Sequence, residues 1–507
     1  MLQSSNLSPQ PIYFSDNRRI FSSTSQVKPE VDVEKKFQSP TQDPLPPSIS
    51  EDMAFSLDQV LSVAKVHPFY SDVQYPPDEG VIEAIKRQPA SPITKGDLSR
   101  QPLLKKSDLY TVINRLVNDI RPQNTYRHNV YTSVTGGGST TSKPLFFATD
   151  AIENRRHRAY FGLFLQALGV IERGDWVLTT HCAGNLYRSL DLTCETMENA
   201  GASVLAAGNH LHPSKVAEML RDFNANVLSG DGSQVMSVVH HISMMSSTER
   251  EGIHLNKIIY TSEGLTATQR SYINTILGPV KICSVLGSAE AGPYGVNNPD
   301  LTSNDENSHL NHTDFVFDTR MIIIEILPLS HKEGDPVPNT LPEGAAGMIA
   351  QTSLTRLRNP VVRYLTGDVG SLHSLSPEAQ SRIPEEHRRY MRVLRLQGRD
   401  QRFSFMWDAD DVEFDKLSVV MADPALGVLQ WQVILSTMQP SKEVALELRV
   451  LRGNRGSEAL VVKRLKEFFY VYEPNEHKFQ ITFLDGMSGF ELSRTGQKVV
   501  KFIDRCV

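Results

Sequence analysis

The chain has 507 residues, 40% of them hydrophobic and 22% charged, and a formal net charge of −6. That length exceeds one small module and suits two or more domains, which can bury a large core without disulfide staples. The acidic balance, with no long basic run, argues against a nucleic-acid binder, and no apolar stretch nears the ~20 residues of a membrane span.

Residues 1–52 are rich in Ser, Pro, Gln and charge, cannot bury enough apolar surface to order themselves, and are expected to be a disordered tail. They lack the apolar core of a secretory signal. Cys182, Cys194, Cys283 and Cys506 have no metal-ligand spacing and read as reduced thiols of a cytoplasmic protein. From residue 54 the apolar periodicity rises. LDQVLSVAKV and DLYTVINRLVNDI repeat at helical spacing, and Ser107–Asp108 is the expected start of the second helix. Between 150 and 300 the pattern alternates. AYFGLFLQALGVI, LYRSLDLTCETMENAGA and HPSKVAEMLRDF read as helices, the second stopping at Gly201. DWVLTT, ASVLAAG, NVLSG, KIIYTS and KICSVLG read as short strands. Such alternation predicts a parallel sheet covered by helices. From 315 to 370 the stretches FVFDTRMIIIEILPL, GMIAQTSL and PVVRYLTGDVG are β-rich and predict a β subdomain. After LRLQGRD come strands WQVILS, ALELRVL and KFQITFL and the helix SEALVVKRLKEFFYV, a small α+β unit. The expected fold is therefore α/β: a large domain over 53–396, carrying helix-covered sheets and a β subdomain, and a small mobile α+β domain over 397–507.

Six stretches carry chemistry. Tyr131-Thr-Ser-Val-Thr-Gly-Gly-Gly-Ser-Thr-Thr-Ser-Lys-Pro144 combines three glycines, hydroxyls and a lysine, and its consecutive backbone N–H groups suit a polyphosphate. The same composition also serves as a flexible linker, and the spacing is not that of a Walker A loop. Tyr260-Thr-Ser-Glu-Gly-Leu-Thr266 leaves a strand end through small residues, as a ligand-contacting turn or an ordinary helix cap does. Leu286-Gly-Ser-Ala-Glu290 supplies a hard carboxylate suited to Mg²⁺, or a plain surface charge. Arg363-Tyr-Leu-Thr-Gly-Asp368 presents a carboxylate able to accept two hydrogen bonds from a vicinal diol, or a Gly-Asp turn. Gln397-Gly-Arg-Asp400 and Ser493-Arg-Thr-Gly-Gln-Lys498 add an arginine and a lysine near the start and end of the small unit.

In this order the six resemble the motifs of the adenylate-forming superfamily, in its phenylacetate–CoA ligase-like branch, over about residues 60–507. The resemblance implies ATP and Mg²⁺, with CoA as the probable thiol. Gly136, Gly137, Gly138, Ser139, Thr140, Thr141 and Lys143 would form the phosphate loop, with Ser142 where the family has glycine. Ser262, Glu263 and Gly264 would lie beside adenine, Asp368 on the ribose hydroxyls and Arg399 on ribose or phosphate. Glu290 would help hold Mg²⁺. Ser288 would stand in for the family's threonine, which is Ala289 here, and Leu286 replaces an adenine-stacking aromatic. Lys498 would be the catalytic lysine, withdrawn by a hinge near Asp400 for the thiol step. His181, Tyr187 and Ser284 are the expected acyl-pocket lining, for an aromatic or compact acid. The implied reaction is ATP-dependent activation of a small carboxylic acid and transfer to a thiol. Alternatives are loading of a carrier protein or an amine, and a degenerate nucleotide-binding protein that exploits Ala289, Leu286 and Ser142.

Overall fold

The computed structural model describes residues 53–88, 98–135, 145–262, 264–302, 312–331, 335–399, 404–453, 455–493 and 496–506. The expected tail and the phosphate-loop residues 136–143 lie outside the described residues, as do Glu263 and Asp400.

Among the described residues an eleven-stranded sheet runs through the large part of the chain. Five strands lie parallel, in the order Ser203–Ala206, Trp176–Thr179, Val227–Asp231, Lys257–Thr261, Lys281–Ser288. These are the short apolar runs of the 150–300 region, and the inner strands Val227–Asp231 and Lys257–Thr261 are buried because helices cover them. The helices Pro213–Asp222, Gly232–Met244 and Ala267–Leu277 pack one apolar cluster around Leu178, Leu228 and Ile258. The β-rich stretch forms strands as expected, and they continue the same sheet. Gly292–Asn297, Thr313–Asp318, Met391–Arg399, Tyr364–His373, Gly347–Ser353 and Ile322–Leu327 follow Lys281–Ser288 in antiparallel pairing. The join is a tight hairpin in which Ser288 pairs with Gly292. It needs its glycines: a Cβ on Gly287 would sit 2.7 Å from the Pro293 Cα, and Gly292 has φ +77°.

Two helix boundaries differ from the periodicity. The helix expected over AYFGLFLQALGVI begins at Ala151 and ends at Ala167. The Asp150 carboxylate caps it, accepting from the amides of Ile152 at 2.8 Å and Glu153 at 3.1 Å. Its first turns bury Glu153, Asn154, His157 and Arg158 and expose Ile152, so the core-facing side there is polar and escapes a hydrophobic count. The helix expected at Ser107–Asp108 starts at Lys106 without a side-chain cap.

The C-terminal stretch builds a four-stranded sheet in the order Phe479–Leu484, Val444–Arg452, Val428–Thr437, Phe502–Asp504. Helices Phe414–Met421 and Glu458–Phe468 cover it around a core that includes Trp407, Leu417, Val433 and Leu465. It docks on the large sheet's helices. Leu429, Leu451 and Val499 join the apolar cluster of Tyr260 and Ile273, and Gln269 Nε2 donates to the Leu429 carbonyl at 2.5 Å. This contact brings the chain's last strand, and Lys498 before it, to the large sheet.

Candidate active site

The four inner parallel strands end on one side of the sheet, where the polypeptide leaves for helices and open sheets of this kind bind ligands. Beyond Trp176–Thr179 stands His181. Asp231 and Thr261 close the next two strands, and Ser262 follows at φ +76°. Ser288 closes the last, and Glu290 occupies the hairpin where parallel pairing gives way to antiparallel. These ends open onto a cavity of about 340 Å³.

Ser262, Ser288, Glu290, His181, Tyr187 and Lys498 all line this cavity. They come from five separate stretches of sequence. The hairpin Val130–Val134/Phe146–Asp150, whose connection carries the glycine-rich stretch, contributes Tyr131, Ser133 and Thr149 to the wall. Ser284 is buried in its strand, opposite Tyr260 and Asn297, and is not among the lining residues; Gly264 is exposed beyond the strand end and also outside the lining. Asp368 is paired in register with Arg399 across neighbouring antiparallel strands and is not among the residues lining the cavity. Asp368 is close enough for its charge to act on the phenols of Tyr294 and Tyr364, as the Glu290 charge also does. Two carboxylates from distant motifs thus share one neighbourhood.

Glu290 is 3% exposed. Its Oε1 accepts hydrogen bonds from the Tyr110 hydroxyl at 2.7 Å and the Tyr364 hydroxyl at 3.0 Å. Both fall on one oxygen, and Oε2 has no hydrogen bond among the described residues. Burial, then the Glu290 charge, pushes both phenols well above their ordinary range, which keeps them protonated donors. The fixed carboxylate suits Mg²⁺, which takes one or two carboxylates and completes its shell with phosphates and water. No cluster of three or more His, Cys, Asp or Glu able to hold a metal occurs among the described residues.

Lys498 is held by a small turn. The Ser493 hydroxyl accepts from the Lys498 amide at 3.1 Å, and the Ser493 amide donates to the Lys498 carbonyl at 2.7 Å. The Cys182 thiol donates to the Gly496 carbonyl at 3.2 Å, tying this turn to the large sheet. His181 is 1% exposed, and neither ring nitrogen has a partner among the described residues. Burial lowers its pKa; the Asp231 charge opposes that shift and the Lys498 charge adds to it. Burial likewise raises the Tyr187 phenol.

No family model matches the chain, and no curated protein matches its sequence significantly. Solved structures do. A 2-hydroxyisobutyryl-CoA ligase in the postadenylation state, in complex with R3-HIB-AMP, superposes with TM-score 0.59 at 17% identity, over 93% of this chain and 96% of that one. The same ligase with 2-HIB-AMP gives TM-score 0.59 at 16% identity, over 92% and 95%. Its open conformation with 2-HIB-AMP and CoA gives 0.50 at 16%, over 93% and 98%. The fold is that of the adenylate-forming ligases.

Several residues that line the cavity, or that hold a residue lining it, carry no signal in the motifs. Tyr110 lies 180 positions from the glutamate it holds. Tyr364 stands inside the Arg363–Asp368 motif, but its neighbour Arg363 is structural. Arg363 is fully buried, pairs with Glu325 at 3.0 Å and donates to the Ser99 and Gln101 carbonyls. Arg188, Asn154 and Arg356 also line the cavity. The Tyr131 ring is stacked by Arg158 and Arg188, with guanidinium carbons 4.5 and 4.0 Å from its centroid. No helix among the described residues is long and apolar enough to cross a membrane.

Proposed function

We propose that this chain activates a small carboxylic acid as its acyl-adenylate, using ATP, and passes the acyl group to a thiol, most plainly that of CoA. The observation that carries this reading is the meeting of Ser262, Ser288, Glu290 and Lys498 on one cavity at the carboxyl ends of the parallel strands. A free carboxylate is a poor acylating agent because its leaving group is oxide. In the proposed reaction a carboxylate oxygen attacks the α-phosphorus of ATP, the bond to the bridging oxygen breaks, and pyrophosphate leaves. The thiol then attacks the acyl carbon and AMP departs, the thiol proton passing to solvent or base.

Chemistry of this type rests on positioning and charge stabilisation. Lys498 would sit between carboxylate and α-phosphate as negative charge grows there. Ser262 and Ser288 offer hydroxyls at strand ends beside it, and Asp368 suits the ribose diol. Residues 136–143 are proposed as the phosphate loop, with Glu263 beside the base and Arg399 near the ribose. Mg²⁺, held by Glu290 through Oε2, would neutralise phosphate charge. The small C-terminal unit, residues 397–507, is proposed to swing about its link to the large part so that Lys498 leaves the cavity before the thiol enters.

The test is acid-dependent ATP–pyrophosphate exchange across an acid panel, with Lys498→Ala as control. Exchange should fall by about 10²–10³-fold in the variant, the cost of one transition-state donor. Exchange undiminished in Lys498→Ala removes that lysine from the chemistry, and exchange with no acid at all overturns the activity. AMP release that loads a carrier protein while leaving CoA unconsumed would reassign the acceptor.

A further inference from the structure

Three arginines are nearly or fully buried among the described residues: Arg158, Arg356 and Arg363. Two have carboxylate partners. Arg158 pairs with Asp191 at 3.1 Å and Glu195 at 2.5 Å, and Arg363 with Glu325 at 3.0 Å. Arg356, 2% exposed, has no ion pair among the described residues, and its Nε and Nη1 have no hydrogen-bond partner among them. The charge of Glu153 reaches Arg356, but the two make no ion pair among the described residues. The Glu153 oxygens accept from the amides of Leu357 at 3.0 Å and Arg358 at 3.1 Å. A buried cation without a contact ion pair is costly to keep, and a bound anion would offset that cost.

Arg356 lines the cavity that holds Lys498. A Cβ on Gly292 would lie 2.8 Å from Arg356 Nη2 and 2.7 Å from His157 Nε2, so any larger residue there would press on the guanidinium. His157 fixes this corner: its Nδ1 pairs with Thr355 Oγ1 at 2.7 Å and its Nε2 with the Pro293 carbonyl at 2.8 Å. The carbonyl accepts, so Nε2 carries the proton and Nδ1 takes the threonine hydroxyl. A neutral, fully bonded histidine therefore locks the residue before Arg356 to the residue after Gly292. Charged lining is otherwise Lys106, Arg188 and Lys498 against Glu290 alone.

Resting on the acid-activating reading, we infer that the acid carries a second anionic group, seated on Arg356 beside Gly292, and that Arg356 is the residue that selects it. The reacting carboxylate faces Lys498, and the second anion pairs with the guanidinium.

The probes are linear dicarboxylates of three to six carbons and their monomethyl esters, which keep the length and remove one charge. Wild type is expected to favour a diacid over its ester by about tenfold or more in kcat/KM for exchange, a charge-assisted pair's worth. Arg356→Gln should abolish that preference with KM for ATP unchanged, and Arg356→Lys should keep part of it. Equal use of ester and diacid by wild type, or an Arg356→Gln defect that falls equally on ATP, overturns the inference. Where Arg356→Gln does not fold, the lysine variant decides: an undiminished preference there overturns it and a reduced one upholds it. If no acid supports exchange, calorimetry with the same diacids separates the two ideas. Binding lost in the arginine variants upholds the anion site while the activation reading falls, and no binding, or binding indifferent to Arg356, sinks the site itself.

Discussion

The two ends of the parallel strands are built from similar residues and end in opposite states. At the amino end every polar group of a buried cluster is paired. Lys257 Nζ donates to Asp175 Oδ2 at 2.6 Å, which also accepts from the Glu172 amide at 2.8 Å. Asn226 donates to Asp175 Oδ1 at 2.9 Å and accepts from the Trp176 amide at 2.7 Å. At the carboxyl end of the same strands, both nitrogens of His181 and Oδ2 of Asp231 are buried without partners among the described residues, and Ser262 holds a left-handed backbone. One sheet thus carries a saturated end and an end whose buried polar atoms lack partners among the described residues. Orphaned polar atoms and strained backbone cost stability, and they collect where binding can repay them.

The largest effect should come from breaking the saturated end. Asp175→Ala leaves Lys257 buried with only Glu172, whose side chain is 70% exposed, as counter-charge. Unfolding free energy should drop by about 3–5 kcal/mol, the usual cost of removing one partner of a buried pair. Chemical denaturation measures it. ATP affinity of the folded fraction should not change. A stability loss under 1 kcal/mol, by the same buried-pair arithmetic, would make the two ends alike and dissolve the contrast.

How far was this visible in the sequence? The parallel strands were, because buried strands read as short apolar runs between helices. The candidate residues Ser262, Ser288, Glu290 and Lys498 were legible as motifs, and all four line the cavity. What gives Glu290 its geometry was not. Tyr110 and Tyr364 look like ordinary core aromatics, and only the tertiary fold brings their hydroxyls to one carboxylate oxygen. Arg356 was equally silent. It sits two positions from Arg358, which pairs with Asp150 at 2.9 Å, and no periodicity separates the satisfied arginine from the orphaned one. The polar face of the Ala151–Ala167 helix was missed for a related reason. A hydrophobic count assumes that buried means apolar, and beside a ligand site the buried side is polar. The continuity of parallel and antiparallel halves depends on the Gly287–Gly292 hairpin, a packing detail with no local signature.

The middle-sized prediction tests Glu290, a group at the carboxyl end that is, like Asp231, partly saturated. Replacing Tyr110 and Tyr364 together by Phe strips Glu290 of both hydrogen bonds and leaves its position in the fold. Partners that orient a metal-binding carboxylate are typically worth about 10–100-fold in metal affinity. The Mg²⁺ concentration for half-maximal exchange should therefore rise by about tenfold in the double variant, and each single variant should fall between. A shift in thermal midpoint with no shift in Mg²⁺ dependence would assign the two phenols to packing alone.

The smallest effect should come with the opposite sign to Asp175→Ala. His181→Phe replaces a buried imidazole with an apolar ring of similar size, removing two unsatisfied nitrogens. Each such group costs about 1–3 kcal/mol, and lost cavity fit offsets part of the gain, so a net stabilisation of about 1 kcal/mol is expected. The acid limb should change too. Burial holds the folded-state pKa of His181 below the ordinary 6.5, so the unfolded chain binds the proton more readily. The stability this residue permits is therefore complete above pH ~6.5 and is lost as pH falls below it. Without the imidazole that loss disappears, and denaturation midpoints should decline less steeply between pH ~6.5 and 5. Exchange activity should fall in the same variant if the ring meets substrate. A more stable, less acid-sensitive and less active protein is the signature of a polar group kept for a ligand. A destabilised variant with the wild-type acid limb would mean that His181 is saturated like the groups at the amino end, and the contrast between the two ends would not hold at its most exposed point.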